Sequence, residues 1–427
     1  MGILSSMYTG VTGLQGQGEA LSVFGDNIAN ANTNGFKVSR PEFQDVMGQS
    51  MNGVLGGGQI GRGTRLGDVK SIFSQGSIIQ TESSTDLAIS GDGFFVMEGG
   101  DGRSFTRNGA FHFDSEGLLI NSDGHVVMGF EADEKGRITS KMGPISVDRA
   151  VVDANPTQDV DLFMNLDLRA DKKLEFNPKH PEKTSHFATG VTVYDSTGTA
   201  RVVTLFFNKI DDGKWEWRAM AKGSDVVGGE KGTLIEQAKG QLTFNSEGKL
   251  QEQKTDKSSF NFRGGAKNDQ EVSFNFGDDK SSGGAGMQVT QYGTNSEAYK
   301  TVQDGYTAGT LGGLTFNNDG MLTAVYSNGE NINVAQVALA KFENPEGLYK
   351  AGGNRFRESR VSGQPTIGSA RTGGRGTVNA KALESSTTDI ASEFINLMNA
   401  QRNFQANARV ISTADEMMKE VMSLKRT

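Results

Sequence analysis

The sequence predicts an α+β, multi-domain chain in which two terminal helices pair as a coiled coil and β-rich domains are inserted between them. Three observations carry that prediction. Apolar residues recur at every seventh position near both ends, one hairpin phrase recurs three times in the middle, and the composition suits many short strands. The chain has 427 residues, enough for about two to four domains with sizeable cores. It holds 57 Gly but only 7 Pro, and 25 Phe against 2 Trp, so turns are plentiful and the cores rest on Phe and aliphatic side chains.

At the N-terminus Met7, Leu14, Leu21 and Ile28 are seven apart, and Leu4 and Val11 each precede a member of that series by three. This spacing puts them on one face of a helix. Gly18 and Gly25 fall where the second column should continue, and Gly10, Gly13 and Gly16 lie inside the segment. Each interior Gly costs about 1 kcal/mol relative to Ala, so this helix is expected to stay disordered until a partner covers its stripe. It runs into "FGDNIANANTNGFK", where Asn27, Asn30, Asn32 and Asn34 crowd within eight residues. Asn bonds nearby backbone groups and favours caps and turns, so the helix should end here, with Asn34-Gly35 as the tightest point.

At the C-terminus Ile390, Leu397, Phe404, Ile411 and Met418 repeat every seven residues, and Phe394, Ala408 and Met422 partly fill the neighbouring column. Ser386 and Asp389 have capping-box spacing, and a helix over about 387–424 is expected. The two stripes answer each other as a coiled coil; an ordinary helical hairpin within one domain fits the same periodicity.

The middle reads as β. "FDSEGLL" from Phe113, "FNSEGKL" from Phe244 and "FNNDGML" from Phe316 each place an acid-Gly pair between a Phe and a Leu. The pair supplies a turn with positive φ at Gly, and the flanking residues should face the core from strands. "DLAISGDGFFVM" (Asp86–Met97) reads as strand–turn–strand, "GVTVYDSTGTARVVTLFF" (Gly190–Phe207) as a hairpin, and "NINVAQVALAKF" (Asn331–Phe342) as a strand. Gly/Ser/Asp-rich stretches near 222–232 and 277–286 read as loops.

Several chemistries find no support. There is no Cys, which excludes disulfides, thiolate metal sites, iron–sulfur clusters and a cysteine nucleophile. The net charge of −8 and the absence of Lys or Arg before Lys37 argue against nucleic acid and against a Sec-type signal peptide. No apolar run approaches the roughly 20 residues of a membrane span, so a soluble chain without membrane insertion is expected. Gly56, Gly58 and Gly61 match a dinucleotide-binding glycine spacing, but no βαβ unit surrounds them and a turn-rich loop is the better reading. Of the four His, only His180 and His186 are close, and both read as surface loop residues without further ligands. Acidic residues are plentiful, yet paired carboxylates carry weight only at a known separation across a cleft. No catalytic, metal or cofactor-binding residue is assigned.

"NIANANTNGFK" (Asn27–Lys37) closely resembles the N-terminal signature of the bacterial flagellar axial proteins, the family of rod, hook and hook-associated subunits. "QRNFQANARVISTADEMM" (Gln401–Met418) resembles that family's C-terminal signature. "GFFVM" and "FTRNGAFHFDSEGLLINSDGHVVMGF" (Phe105–Phe130) look like the segment shared by rod and hook subunits, while "VTVYDSTG" and "QDGYTAGTL" are similar to hook members in particular. The resemblance spans nearly the whole chain and is weakest at about 222–290.

It implies a structural subunit, not an enzyme, that needs no cofactor and self-assembles into a curved hook tube acting as a universal joint between rod and filament. The alternatives are a distal rod subunit, disfavoured by the insertion at about 150–297, and a secreted β-rich binding module. Implied partners are further copies of the chain, the distal rod, the hook cap, the hook–filament junction protein and the flagellar type III export apparatus. Export would leave no cleaved signal and place the chain at the extracellular hook.

The implied parts are an inner helical domain of 1–33 with 386–427, an extended connecting segment of 34–75 with 358–385, an inner β domain of 76–149 with 298–357, and an outer β domain of 150–297. The resemblance assigns assembly to Leu4, Met7, Val11, Leu14, Leu21, Ile28, Ile390, Phe394, Leu397, Phe404, Ile411 and Met418. It assigns the signature turn to Asn27, Asn30, Asn34, Gly35 and Phe36, and the C-terminal signature to Gln401, Arg402, Asn403, Gln405 and Asn407.

Overall fold

Both ends of the chain are helical, α1 over Gly2–Ala29 and α3 over Ile390–Leu424, and among the described residues the elements between them are β strands apart from the short α2 (Pro181–Thr184) and a 3-10 turn at Pro345–Gly347. The computed structural model describes residues 2–46, 49–50, 59–133, 136–147, 150–172, 176–277 and 287–424. The chain is therefore α+β with helical termini and a β-rich middle, as expected. It divides into two compact units, one of residues 1–148, 313–324 and 331–427, the other of 149–312 and 325–330.

In the first unit α1 packs along α3, with only part of the predicted stripes at the seam. The buried residues of α1 are Gly10, Gly13, Gly16, Ala20 and Asn27; those of α3 are Glu393, Ala400 and Ala414. A Cβ on Gly10 would stand 2.9 Å from Ile411, and one on Gly13 only 2.6 Å from the Asn407 carboxamide. Glycine is what lets the two backbones approach so closely. Met7, Leu14, Leu21 and Ile28 flank this seam half-buried, while Leu4 and Val11 are exposed. On α3, Leu397, Ile411 and Met418 are half-buried, and Ile390, Phe394 and Phe404 are exposed. The heptad spacing is present at both ends, but its centre lies on small residues beside the apolar columns.

Helix α3 begins three residues later than expected. Asp389 Oδ1 accepts the Ser392 N–H at 3.1 Å, which makes Asp389 the N-cap, while Ser386 Oγ accepts from the Thr388 N–H outside the helix. Beside α1 lies an antiparallel hairpin of strands Ser39–Asp45 and Thr64–Ser71, in which Phe43 packs on Gly16 at 3.3 Å from a built Cβ.

The sheet of the first unit is built on strand Phe94–Gly99. It pairs with Gly102–Thr106, Val126–Ala132 and Leu339–Lys341. Phe95 and Met97 point into one core with Leu87, Leu119 and Val337; Phe94 and Val96 point into another with Phe105, Phe342 and Phe356. Burial on both faces explains the unbroken apolar run at 94–97. Asp86–Met97 does form two strands, but they are not a hairpin, because Leu87–Ser90 pairs with Thr377–Ala380. Asn331–Phe342 is also two strands, Asn331–Val337 and Leu339–Lys341, interrupted at Ala338.

The second unit is a five-stranded antiparallel meander, Phe187–Tyr194, Ala200–Asp211, Lys214–Lys222, Leu234–Phe244 and Leu250–Ser258. A smaller sheet around Asp159–Asn165 completes its core, which contains both Trp215 and Trp217 together with Phe207, Phe260, Phe262 and Phe276. The stretch near 222–232 is more ordered than a plain loop, since Val226 is buried and bridges to Phe262. Residues 278–286, Gly56 and Gly58 lie outside the described residues. His186 does lie in a loop, between α2 and strand Phe187–Tyr194, but half-buried: its Nδ1 accepts the Lys209 N–H at 3.2 Å and its ring meets Trp215 edge-on.

The recurring phrase forms one and the same turn three times. Asp114, Asn245 and Asn317 each accept two backbone N–H groups, two and four residues ahead, and Gly117, Gly248 and Gly320 have φ between +70° and +79°. Leu119, Leu250 and Leu322 beyond them are fully buried. Asn121 and Asp195 repeat the device ahead of Gly124 and Gly198.

The α1 glycines should separate into two kinds by mutation. Gly10→Leu should destabilise by about 1–3 kcal/mol by overpacking the helix seam. Gly18→Ala and Gly25→Ala, with nothing within 4 Å of the added methyl, should each stabilise by about 0.5–1 kcal/mol. Urea titrations followed by circular dichroism at 222 nm measure both signs.

Candidate assembly site

The signature turn is where the two halves of the chain are tied together. Helix α1 ends at Ala29, and the next residues turn through successive backbone bonds, Ala31 N–H to Ile28 O and Thr33 N–H to Asn30 O. Asn30 donates back to the Asp26 carbonyl at 2.9 Å and accepts the Thr33 hydroxyl at 3.0 Å, so it caps the exit. Gly35 then takes φ +70°, and a Cβ there would lie 2.6 Å from the backbone of Arg107 and Asn108. Only glycine fits, on both conformational and steric grounds.

Asn27 is fully buried and bonds Ser39 as a strand rung would, accepting its N–H at 2.9 Å and donating to its carbonyl at 2.7 Å. Its amide also donates to the buried Glu393 carboxylate on α3 at 3.1 Å. Asn34 offers its carbonyl to Asn354 Nδ2 at 2.6 Å. Phe36 is buried, with the Lys350 ammonium over its ring.

The centre of the site is Glu384, which sequence reasoning missed. Its side chain has no exposed surface. Oε1 accepts from Lys37 Nζ at 2.6 Å and from the Gly76 N–H at 2.7 Å, and Oε2 pairs with Arg107 at 3.3 Å. Lys37 also donates to the Ser74 carbonyl at 2.6 Å, and Arg107 to the Gly91 carbonyl at 2.7 Å. The backbone completes the tie, because Gly35 N–H donates to Glu384 O at 2.7 Å and Thr387 N–H to Phe36 O at 3.1 Å. Burial pushes the Lys37 ammonium below its ordinary range despite the Glu384 hydrogen bond that opposes it, and burial likewise lowers Arg107.

The remaining predicted residues are not gathered at this turn. Gln401, Arg402, Asn403 and Gln405 are exposed on α3, and of these five assigned signature residues Asn407 is the one that lies against α1, at Gly13. Lys37 was legible in part, being the first basic residue of the chain and part of the signature phrase. Arg107 lies within the quoted phrase at Phe105–Phe130, but nothing local marked it or Glu384 as ion-paired, because their ion pairs span 347 and 277 residues.

Four family profiles match successive parts of the chain: flagella basal body rod protein at 7–37, flagellar hook protein FlgE/F/G D1 domain at 88–159, flagellar basal body protein FlaE D2 domain at 165–306, and flagellar basal body rod FlgEFG protein C-terminal at 379–424. Together they define a flagellar axial protein. The flagellar hook protein FlgE of Borreliella burgdorferi is 32% identical over 99% of this chain and all of its own length, and that of Treponema pallidum is 30% identical over 99% and 100%. The chain belongs to the flagellar hook protein family. The crystal structure of Helicobacter pylori flagellar hook protein FlgE2 shares its fold, with a TM-score of 0.54 over 72% of this chain and all of that one at 15% identity.

Removing one partner of a buried ion pair costs about 3–5 kcal/mol. Glu384→Gln, which strands two buried cations, should lose that much stability. Lys37→Met should lose less, since Arg107 and the Gly76 N–H still serve the carboxylate. Both tryptophans lie in the second unit, so far-UV dichroism is the readout for the first. Because the Lys37 pKa is depressed, the unfolded chain binds more protons as pH approaches the ordinary lysine value of 10.5. The site's contribution should therefore rise with pH below 10.5, and Lys37→Met should abolish that rise.

Proposed function

We propose that this chain is the structural subunit of the bacterial flagellar hook and that copies polymerise through α1 and α3 into a curved tube joining rod to filament. The observation that carries this reading is the apolar surface the helix pair leaves uncovered. On α3, Ile390, Phe394, Ile395, Met398 and Phe404 are 40–54% exposed, and Val421, Met422 and Leu424 reach 54–72%. Fully burying one such side chain yields about 1.5–3 kcal/mol, so covering even part of this face offsets the roughly 4–15 kcal/mol lost on association.

In that assembly the helices act as a coiled coil, with Leu4, Met7, Val11, Leu14, Leu21 and Ile28 of α1 and the α3 columns as the contact set. The locked turn from Asn27 to Phe36 fixes the direction in which the chain leaves the helices. The working parts are the helical ends, the connecting segments around 34–75 and 358–385, and β domains divided near residue 150. The distal rod, the hook cap, the hook–filament junction protein and the type III export apparatus are the proposed partners, and export proceeds without a cleaved signal. Among the described residues no helix is long and apolar enough to cross a membrane.

Negative-stain electron microscopy of the concentrated full-length protein tests this reading. Wild type should form curved tubes, and the double variant Phe394→Asp, Met398→Asp should remain monomeric with an unchanged thermal melt. Straight tubes would favour a rod subunit, and tubes from the double variant would remove α3 from the interface.

A further inference from the structure

In the second unit, two hairpin turns of the meander (211–214 and 244–250) and the segment 291–293 surround an open cavity of 370 Å³ that tube building does not require. Gln291, which lines it, is only 2% exposed, and its amide nitrogen has no hydrogen-bond partner among the described residues. A buried donor left unpaired costs about 1–3 kcal/mol, a cost that an acceptor arriving in the cavity would recover. Next to it Tyr292 and Leu168 also line the cavity, 44% and 48% exposed, an apolar surface open to the same space.

The turn residues are shaped around that surface. Gly248, at φ +75°, lies so close that a Cβ would stand 3.0 Å from the Tyr292 ring and 2.5 Å from the Gln291 carbonyl. The carboxylates of Asp212 and Glu247 also line the cavity. The hydrogen bond from Lys172 holds the Asp212 carboxyl below the usual range, so it accepts and does not donate.

An aromatic face, a buried amide donor and carboxylate acceptors within one open cavity match a ring with one apolar face and several hydroxyls. Lys172 pairs with Asp212 and Lys249 with Glu247 at 3.4 Å, so the rim offers an anionic ligand no net charge to bind. We propose that this cavity binds a neutral or amino sugar unit, stacked on Tyr292 and hydrogen-bonded to Gln291 and Asp212. The proposal does not depend on the hook reading, and binding is expected whether or not the chain polymerises.

Saturation-transfer NMR on the full-length protein with N-acetylglucosamine, glucose and glucuronate is the test. Transfer to the ring protons of the two neutral sugars is expected, with glucuronate bound no more tightly than glucose. Tyr292→Ala should weaken neutral-sugar binding by about tenfold, equivalent to 1.4 kcal/mol. Gln291→Met should act in the same direction, and unchanged Trp215 and Trp217 fluorescence reports an intact unit in both variants. No transfer to either neutral sugar at millimolar concentration, or equal transfer in wild type and Tyr292→Ala, overturns the proposal.

Discussion

A carboxylate with no exposed surface must be neutralised where it stands, and the first unit is arranged around doing so for Glu384. Its two cations arrive from residues 37 and 107, its backbone donor from Gly76, and its own carbonyl receives Gly35. Four stretches distant in sequence therefore meet at one charge. Each ion taken out of water costs several kcal/mol, so the pair adds little net stability over an apolar equivalent. What it supplies is conditional: with the carboxylate missing, the loss of about 3–5 kcal/mol is a large part of the 5–15 kcal/mol that a typical domain has in total. The turn after α1 can then form only when the C-terminal segment is in place.

That dependence sits beside a second one. Asn27 and Glu393 join the last turn of α1 to the first turn of α3, two residues of α1 before its end at Ala29 and three residues into α3. The helix pair and the locked turn thus share an edge. A chain whose N-terminal helix is glycine-interrupted and weak alone gains order from both, through close backbone contact along α3 and through the fixed exit at residues 30–37.

The parts of this arrangement that depend on local chemistry were legible in the sequence. The Asx-x-x-Gly turns were, because the side-chain acceptor, the two N–H groups and the positive-φ glycine lie within five residues. So were the helical ends, from their sevenfold spacing, and the positive-φ turn at Gly35. The seam between the helices was legible only in part: Ile411 of the predicted stripe meets α1, but a pattern reading ranks Leu and Phe as buried and Gly as a cost. In a helix pair the order inverts where small residues permit close approach, and the large side chains are displaced to the flanks. Glu384 was invisible for another reason: an acid in "KALESST" looks like any solvated acid until its distant cations are known.

The displacement has a consequence for how far the chain can satisfy itself. The contacts Asn27–Glu393, Gly13–Asn407 and Gly10–Ile411 progress in opposite directions along the two helices. Helix α1 has 28 residues and α3 has 35, so the start of α1 falls near about residue 418 of α3 at equal rise per residue. Val421, Met422 and Leu424 lie past that point, and they are among the most exposed apolar side chains of the helix. Among the described residues, α1 stops short of them while the Asn27–Glu393 contact holds. That surface is the stretch of α3 that the proposed contacts between subunits would have to cover.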